Sequence, residues 1–132
     1  MVRNEADIIR VNILHHLSLG LDRIVVVDNA STDGTDRVLA ELGRDPRVRY
    51  TREDTPYLQS RTFTSLARQA CREGADWVLP IDADEFWYAR DGDFKGILAK
   101  TEAVLLRVDL VNYIQRRDQL ESTPDALLQM TW

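Results

Sequence analysis

The sequence predicts an α/β fold, a largely parallel open sheet flanked by helices, and three observations carry that prediction. Short apolar runs rich in β-branched residues alternate with segments of helical period. Two of these runs, RIVVV at 23–27 and WVLPI at 77–81, are apolar on both faces, as strands covered on both sides are. Each then ends in acid, Asp28 after the first and Asp82-Ala83-Asp84-Glu85 after the second. The carboxyl edge of an open parallel sheet is where α/β proteins bind ligands.

Taken in order, residues 1–5 (MVRNE) hold only Met1 and Val2 before a polar loop, so any strand here is short. Residues 6–19 place Ile8, Ile9, Val11, Ile13, Leu14, Leu17 and Leu19 at broadly helical spacing, and Gly20 suits a helix C-cap. The second strand at 23–27 runs into the turn DNASTDGT, whose Ser31, Thr32 or Asp33 can cap a helix over 36–42. Strand 48–51 follows, then a polar loop over 52–56. A helix over 59–72 puts Phe63, Leu66, Ala67, Ala70 and Cys71 on one face, with Arg61 and Arg68 off it. The strand opening at Trp77 is kept short by Pro80, which donates no ladder hydrogen bond. A short helix over 94–100 and a fifth strand over 103–110, continuing loosely to Tyr113 and Ile114, come next. The charged run 115–121 is expected to face solvent and 125–130 to form a terminal helix.

The 132 residues suffice for one domain with a sizeable core. Formal net charge is −5, which argues against a nucleic-acid binder. The single cysteine, Cys71, allows no internal disulfide and reads as a small buried apolar residue in a reducing, cytoplasmic setting. No apolar run reaches membrane-spanning length. His15 and His16 have no third ligand at zinc spacing, which favours a surface or packing role.

The acidic block carries the chemistry. Strand alternation puts Asp82 and Asp84 on one side with only Ala83 between them, and like charges that close repel. A divalent cation removes the repulsion, and hard oxygen ligands suit Mg²⁺ or Mn²⁺. With parallel strands, Asp28 and Asp82 end at the same edge, where Arg3, Asn4 and Glu5 join them if a strand lies just upstream.

Three motifs, in this order and spacing, point to a family: VRNE at 2–5, VDNASTDGT at 27–35 and WVLPIDADEF at 77–86. The chain resembles the family 2 type of glycosyltransferase with the GT-A fold, a Rossmann-like nucleotide-binding half, and within it the subgroup whose metal motif reads D-x-D-E-F. The resemblance spans residues 1 to about 114. It implies a nucleotide-sugar donor, usually a UDP-sugar, and transfer to an acceptor hydroxyl with inversion. It implies that the loop holding Arg3, Asn4 and Glu5 lines the nucleotide pocket. Asp28, with Asn29 beside it, accepts a hydrogen bond from the base. Asp82 lies near the ribose or the metal, Asp84 coordinates the cation bridging the diphosphate, and Arg61 is a further candidate for the phosphates. The acceptor class, carbohydrate, lipid or protein, and the general base stay open; Asp109 and Asp118 sit in no matching motif. The single domain over 1–132 is expected to be incomplete at both ends, with a sheet edge that can pair with a second copy. Two other readings stand beside the transferase: a nucleotide-binding or interaction module lacking the base, and a metal-dependent nucleotidyl- or phosphotransferase. Lys95 and Lys100, the only lysines, lie on no strand-end loop, which disfavours the last.

Overall fold

A computed structural model describes residues 1–54 and 59–112. The order of elements is α1 (Ile9–Ser18), β1 (Ile24–Asn29), α2 (Thr35–Leu42), β2 (Val48–Glu53), α3 (Gln59–Arg72) and α4 (Phe94–Lys100). Met1–Thr101 forms one compact unit and Glu102–Trp132 another. In the second unit, residues 102–112 are exposed and belong to no helix or strand.

The sheet is parallel, as expected. β1 and β2 pair from Ile24↔Val48 to Asn29↔Glu53. On its opposite edge β1 meets Val2, which donates to the Val27 carbonyl at 2.8 Å and accepts from the Asn29 amide at 2.9 Å. The short first strand is thus a single bridging residue. Both named strands run two residues past their expected ends at 27 and 51, because the main-chain ladder continues through Asp28 and Asn29 opposite Arg52 and Glu53 whatever their side chains.

The core lies where α1 and α2 cover one face of this sheet. Val2, Ile9, Ile13, Leu17, Val26, Leu39, Leu42 and Val48 form its buried cluster, with Ile24, Val38, Tyr50 and Ala83 packed against it. On α1 the buried positions are Ile9, Asn12, Ile13, His16 and Leu17, the i, i+3, i+4, i+7, i+8 stripe of a core-facing helix. Two of the five are polar, while Val11 and Leu14 are 40% and 50% exposed, so apolar spacing alone misplaces the inner face. An exposed Arg10–Glu41 pair links α1 to α2 and adds little stability, because water and salt screen it.

Three expectations are corrected. Residues 77–81 join no ladder: Pro80 offers no donor, and Trp77 is held instead by its indole, which donates to the Leu98 carbonyl at 3.1 Å. The acidic block is accordingly a β-turn, closed by the Glu85 amide on the Asp82 carbonyl at 3.1 Å, rather than the end of a strand. Residues 103–110 form no strand either; among the described residues they pair with no neighbour that would satisfy a ladder. Cys71 is exposed, because it falls at the margin of the half-buried stripe Phe63, Leu66, Ala67 and Ala70 on α3. The predicted features at 113–114, 115–121 and 125–130, and Asp118, lie outside the described residues.

Candidate functional site

The site begins where β1 ends. Alternation puts Asp28 on the same side as Val26, under the helices, and its side chain is wholly buried. Oδ1 accepts from the Ser31 amide at 3.2 Å and from the Ser31 hydroxyl. Oδ2 has no hydrogen bond among the described residues; the Arg52 guanidinium, directly across the parallel register, stands 3.5 Å away. Arg52 also pairs with Asp36 at 3.2 Å and donates to the Ser31 carbonyl at 3.1 Å, and it is 44% exposed.

Side chains of the turn after β1 then fasten the loop after Val2. The Asn4 amide donates to Ser31 Oγ at 2.9 Å, the Glu5 amide to Thr35 Oγ1 at 2.8 Å, and the Ala6 amide to Asp33 Oδ2 at 3.0 Å. In return, Asn4 Oδ1 accepts from the Thr32 amide at 2.9 Å. Asn4 has φ of 58° and Ala30 of 52°, left-handed conformations that Asn tolerates well and Ala poorly. The expected cap of α2 by Ser31, Thr32 or Asp33 is not found: the N-cap is Gly34, in left-handed backbone and with no side-chain cap, and Asp33 accepts instead from both the amide and the hydroxyl of Thr35.

The acidic turn is held from below by α1. Asn12 Nδ2 donates to the carbonyls of Glu85 at 2.7 Å and Asp82 at 3.3 Å. His15 Nε2 meets the Trp87 carbonyl at 2.7 Å. His16 Nδ1 faces the Asn12 carbonyl at 2.8 Å, so it carries the proton, and Nε2 accepts from the Trp87 amide at 3.3 Å. Phe86 lies edge-on to His15 and stacks with His16. The histidines therefore have packing roles. From α3, Gln59 Nε2 donates to Asp82 Oδ1 at 2.8 Å.

Electrostatics gather the loops. The Glu5 carboxyl pKa is raised, first by burial and then by Asp7, Asp84, Asp33 and Asp82. Carboxylates from the first loop, the β1–α2 turn and the acidic turn thus repel one another across one neighbourhood. Asp28 lies beneath it, joined through Ser31 to Asn4.

His16 has a pH consequence. Burial lowers its pKa; the Asn12 carbonyl opposes that shift and His15 adds to it. A lowered folded value means the unfolded chain takes up the proton first. The stabilisation is complete above the unfolded value of about 6.5 and is lost as pH falls from there through the folded value. Melting temperatures between pH 8 and 5 are expected to fall on the acid side, and His16→Gln to remove that part of the slope.

Of the residues expected at the site, Arg3 and Asn4 are exposed on the first loop, and Glu5 is half-buried beside them. Asp82 and Asp84 are both exposed on the turn, with Ala83 turned inward between them. Asn29 is buried on the far face of β1, its amide 3.4 Å from the Glu53 carbonyl. Arg61 lines an open groove along α3 with Ser60, Thr64, Ser65, Arg68 and Arg72, and the α3 side chain that reaches the acidic turn is Gln59. Sequence reasoning missed Asn12, Arg52 and Gln59. For Asn12 the signal was a polar residue within the helical stripe that Ile9 begins; for Arg52 and Gln59 no local signal exists.

Carboxylates are the right donors for a hard cation. Among the described residues, however, no three His, Cys, Asp or Glu side chains stand close enough to cage one.

These features define an α/β domain whose polar loops and acidic turn meet beside a parallel sheet. The chain belongs to glycosyl transferase family 2, whose sequence profile matches residues 1–121. A glycosyltransferase family 92 protein of Oryza sativa subsp. japonica is 38% identical over 88 residues, covering 65% of this chain and 15% of that protein. One from Arabidopsis thaliana is 30% identical over 102 residues, covering 76% of this chain and 17% of its own length. An uncharacterized protein of Mycobacterium tuberculosis is 38% identical over 96 residues, 67% of this chain and 23% of that protein. The chain therefore spans under a quarter of each of these relatives. No solved structure matches it. Among the described residues, no helix is long and apolar enough to cross a membrane.

Proposed function

We propose that this domain binds a nucleotide-diphospho-sugar, a UDP-sugar by preference, with a divalent cation, and serves transfer of the sugar to an acceptor hydroxyl with inversion. Family membership supplies the reaction class. The observation that carries the binding mode is Asp28, a buried carboxylate at the strand's end with one oxygen saturated by Ser31 and the other lacking a hydrogen bond. A buried acceptor without a donor costs free energy, and an imide N–H such as that of uracil supplies one. Arg52, nearly half exposed, stands 3.5 Å from that oxygen and would give way to the base.

The other residues divide the work. Asn4 and Glu5 line the pocket's first wall, fastened by Ser31 and Thr35. Asp82 and Asp84, exposed on the turn, would serve the diphosphate and its cation. A bound cation would neutralise the charge that builds on the leaving diphosphate. In the transfer, the acceptor oxygen bonds to the anomeric carbon, the bond to the diphosphate oxygen breaks, and the hydroxyl proton passes to a base.

Calorimetry with UDP, with and without Mn²⁺, tests the reading. Binding is expected to require the cation, and Asp84→Ala to abolish the cation-dependent affinity while circular dichroism stays unchanged. UDP affinity that is the same with and without Mn²⁺, or unaffected by Asp84→Ala, overturns it. Hydrolysis or transfer from the donor separates a transferase from a binding module.

A further inference from the structure

We propose that Asn12, His15 and His16 of α1 are positioning residues that fix the main chain of the acidic turn so that the Asp82 and Asp84 carboxylates stay available for a cation and diphosphate. The inference rests on the function proposed above and deepens it.

The argument is a division of labour between main chain and side chain. The three α1 side chains make four hydrogen bonds with the segment 82–87, and every one is to a main-chain atom: the Asp82, Glu85 and Trp87 carbonyls and the Trp87 amide. No α1 side chain touches a carboxylate of the turn. Asp84 makes no side-chain hydrogen bond or ion pair among the described residues, and Asp82 has only the neutral Gln59. Within the turn the Glu85 carboxylate accepts from the Asp82 amide at 3.2 Å, and the grip from α1 behind it involves neither the Asp82 nor the Asp84 carboxylate.

The grip is also preorganised. Asn12 and His16 occupy core positions of α1, 6% and 1% exposed, where apolar side chains would pack without polar cost. The Nδ1–H of His16 donates to the Asn12 carbonyl, which fixes the tautomer and aims the Nε2 lone pair at the Trp87 amide. Phe86 closes over both imidazoles. Each buried polar group thus has a partner in the turn or on its own helix. Carboxylates that present to a metal depend on such supporting contacts, and losing one typically costs 10–100-fold in metal affinity.

The test compares Asn12→Leu, His15→Ala and His15→Gln in the full chain. Asn12→Leu removes both donors but keeps an apolar side chain in the core. His15→Gln retains an N–H for the Trp87 carbonyl, which His15→Ala does not. Amide hydrogen exchange at residues 85–87 reads the grip without ligand, and calorimetry with UDP and Mn²⁺ reads its effect. Asn12→Leu and His15→Ala are expected to lose protection at 85–87 and at least tenfold in Mn²⁺-dependent UDP affinity, and His15→Gln to recover most of both. Lost protection with affinity within twofold of wild type overturns the positioning role alone. Unchanged protection overturns the grip itself. A wild-type chain that binds UDP without regard to Mn²⁺ overturns the underlying functional reading and the role of the grip in presenting a cation. If Asn12→Leu does not fold, the two His15 variants decide the matter.

Discussion

Asp28→Ala is expected to destabilise the protein by about 2–3 kcal/mol, lowering the melting temperature by roughly 7–11 °C, and to eliminate nucleotide binding. The carboxylate is wholly buried, and its Oδ1 is the acceptor for both the amide and the hydroxyl of Ser31. Without it these donors lie under the helix layer with nothing to meet. Ser31 Oγ in turn receives the Asn4 amide, so the loop after Val2 loosens as well. Arg52 loses least, since Asp36 and the Ser31 carbonyl remain to it. Asp28→Asn separates the two roles. It keeps an oxygen for Ser31 and costs about 1 kcal/mol or less, but it turns an NH₂ toward the place where a base N–H would donate. Urea denaturation and calorimetry with UDP are the measurements. An Asp28→Asn variant that binds UDP like the wild type removes Asp28 from base recognition.

Leu39→Ala is expected to cost about 3–4 kcal/mol with no specific effect on the site's chemistry. Leu39 is fully buried, in the cluster with Ile9, Ile13, Val26 and Val48. Truncation there loses the transfer free energy of the side chain and leaves a cavity that α1 and the sheet cannot close without breaking their own contacts. Domains of this size are stable by only about 5–15 kcal/mol, so the loss is a large share of the whole. Leu14→Ala, on the half-exposed face of α1, is the control and should stay within about 0.5 kcal/mol. Urea unfolding monitored by circular dichroism distinguishes them; similar losses for both would place the core elsewhere.

What the sequence disclosed followed from which forces are local. Helices α3 and α4 begin and end where periodicity and flanking Gly74 and Asp93 place them, and Asp93 caps α4 through the Gly96 amide. The parallel β1–β2 pair was legible because β-branched runs separated by a helix leave little other choice. Composition states a need for burial but names no partner. Residues 77–81 show this: they are apolar on both faces yet join no ladder, with a proline in the middle. On α1 the reading chose apolar residues and so passed over Asn12, and it gave His16 a surface or packing role without a partner; the burial of both makes sense only with a turn 70 residues away in view. The acidic block and Asp28 stood out because charge after an apolar run is a local event. Their partners Ser31, Arg52 and Gln59 did not, because an ordinary polar side chain acquires its role from what the fold sets opposite it.

The placement of Asp28 has a consequence for how this chain tolerates changes in length. Facing in or out along β1 is decided by odd and even count. One residue inserted between Ile24 and Asp28 would rotate the carboxylate away from Ser31 and bring the Asn29 amide beneath the helices instead. An insertion of two restores the parity but shifts Asp28 past Arg52. Related chains should therefore vary in the length of the stretch between α2 and β2 while keeping the spacing from Ile24 to Asp28 invariant.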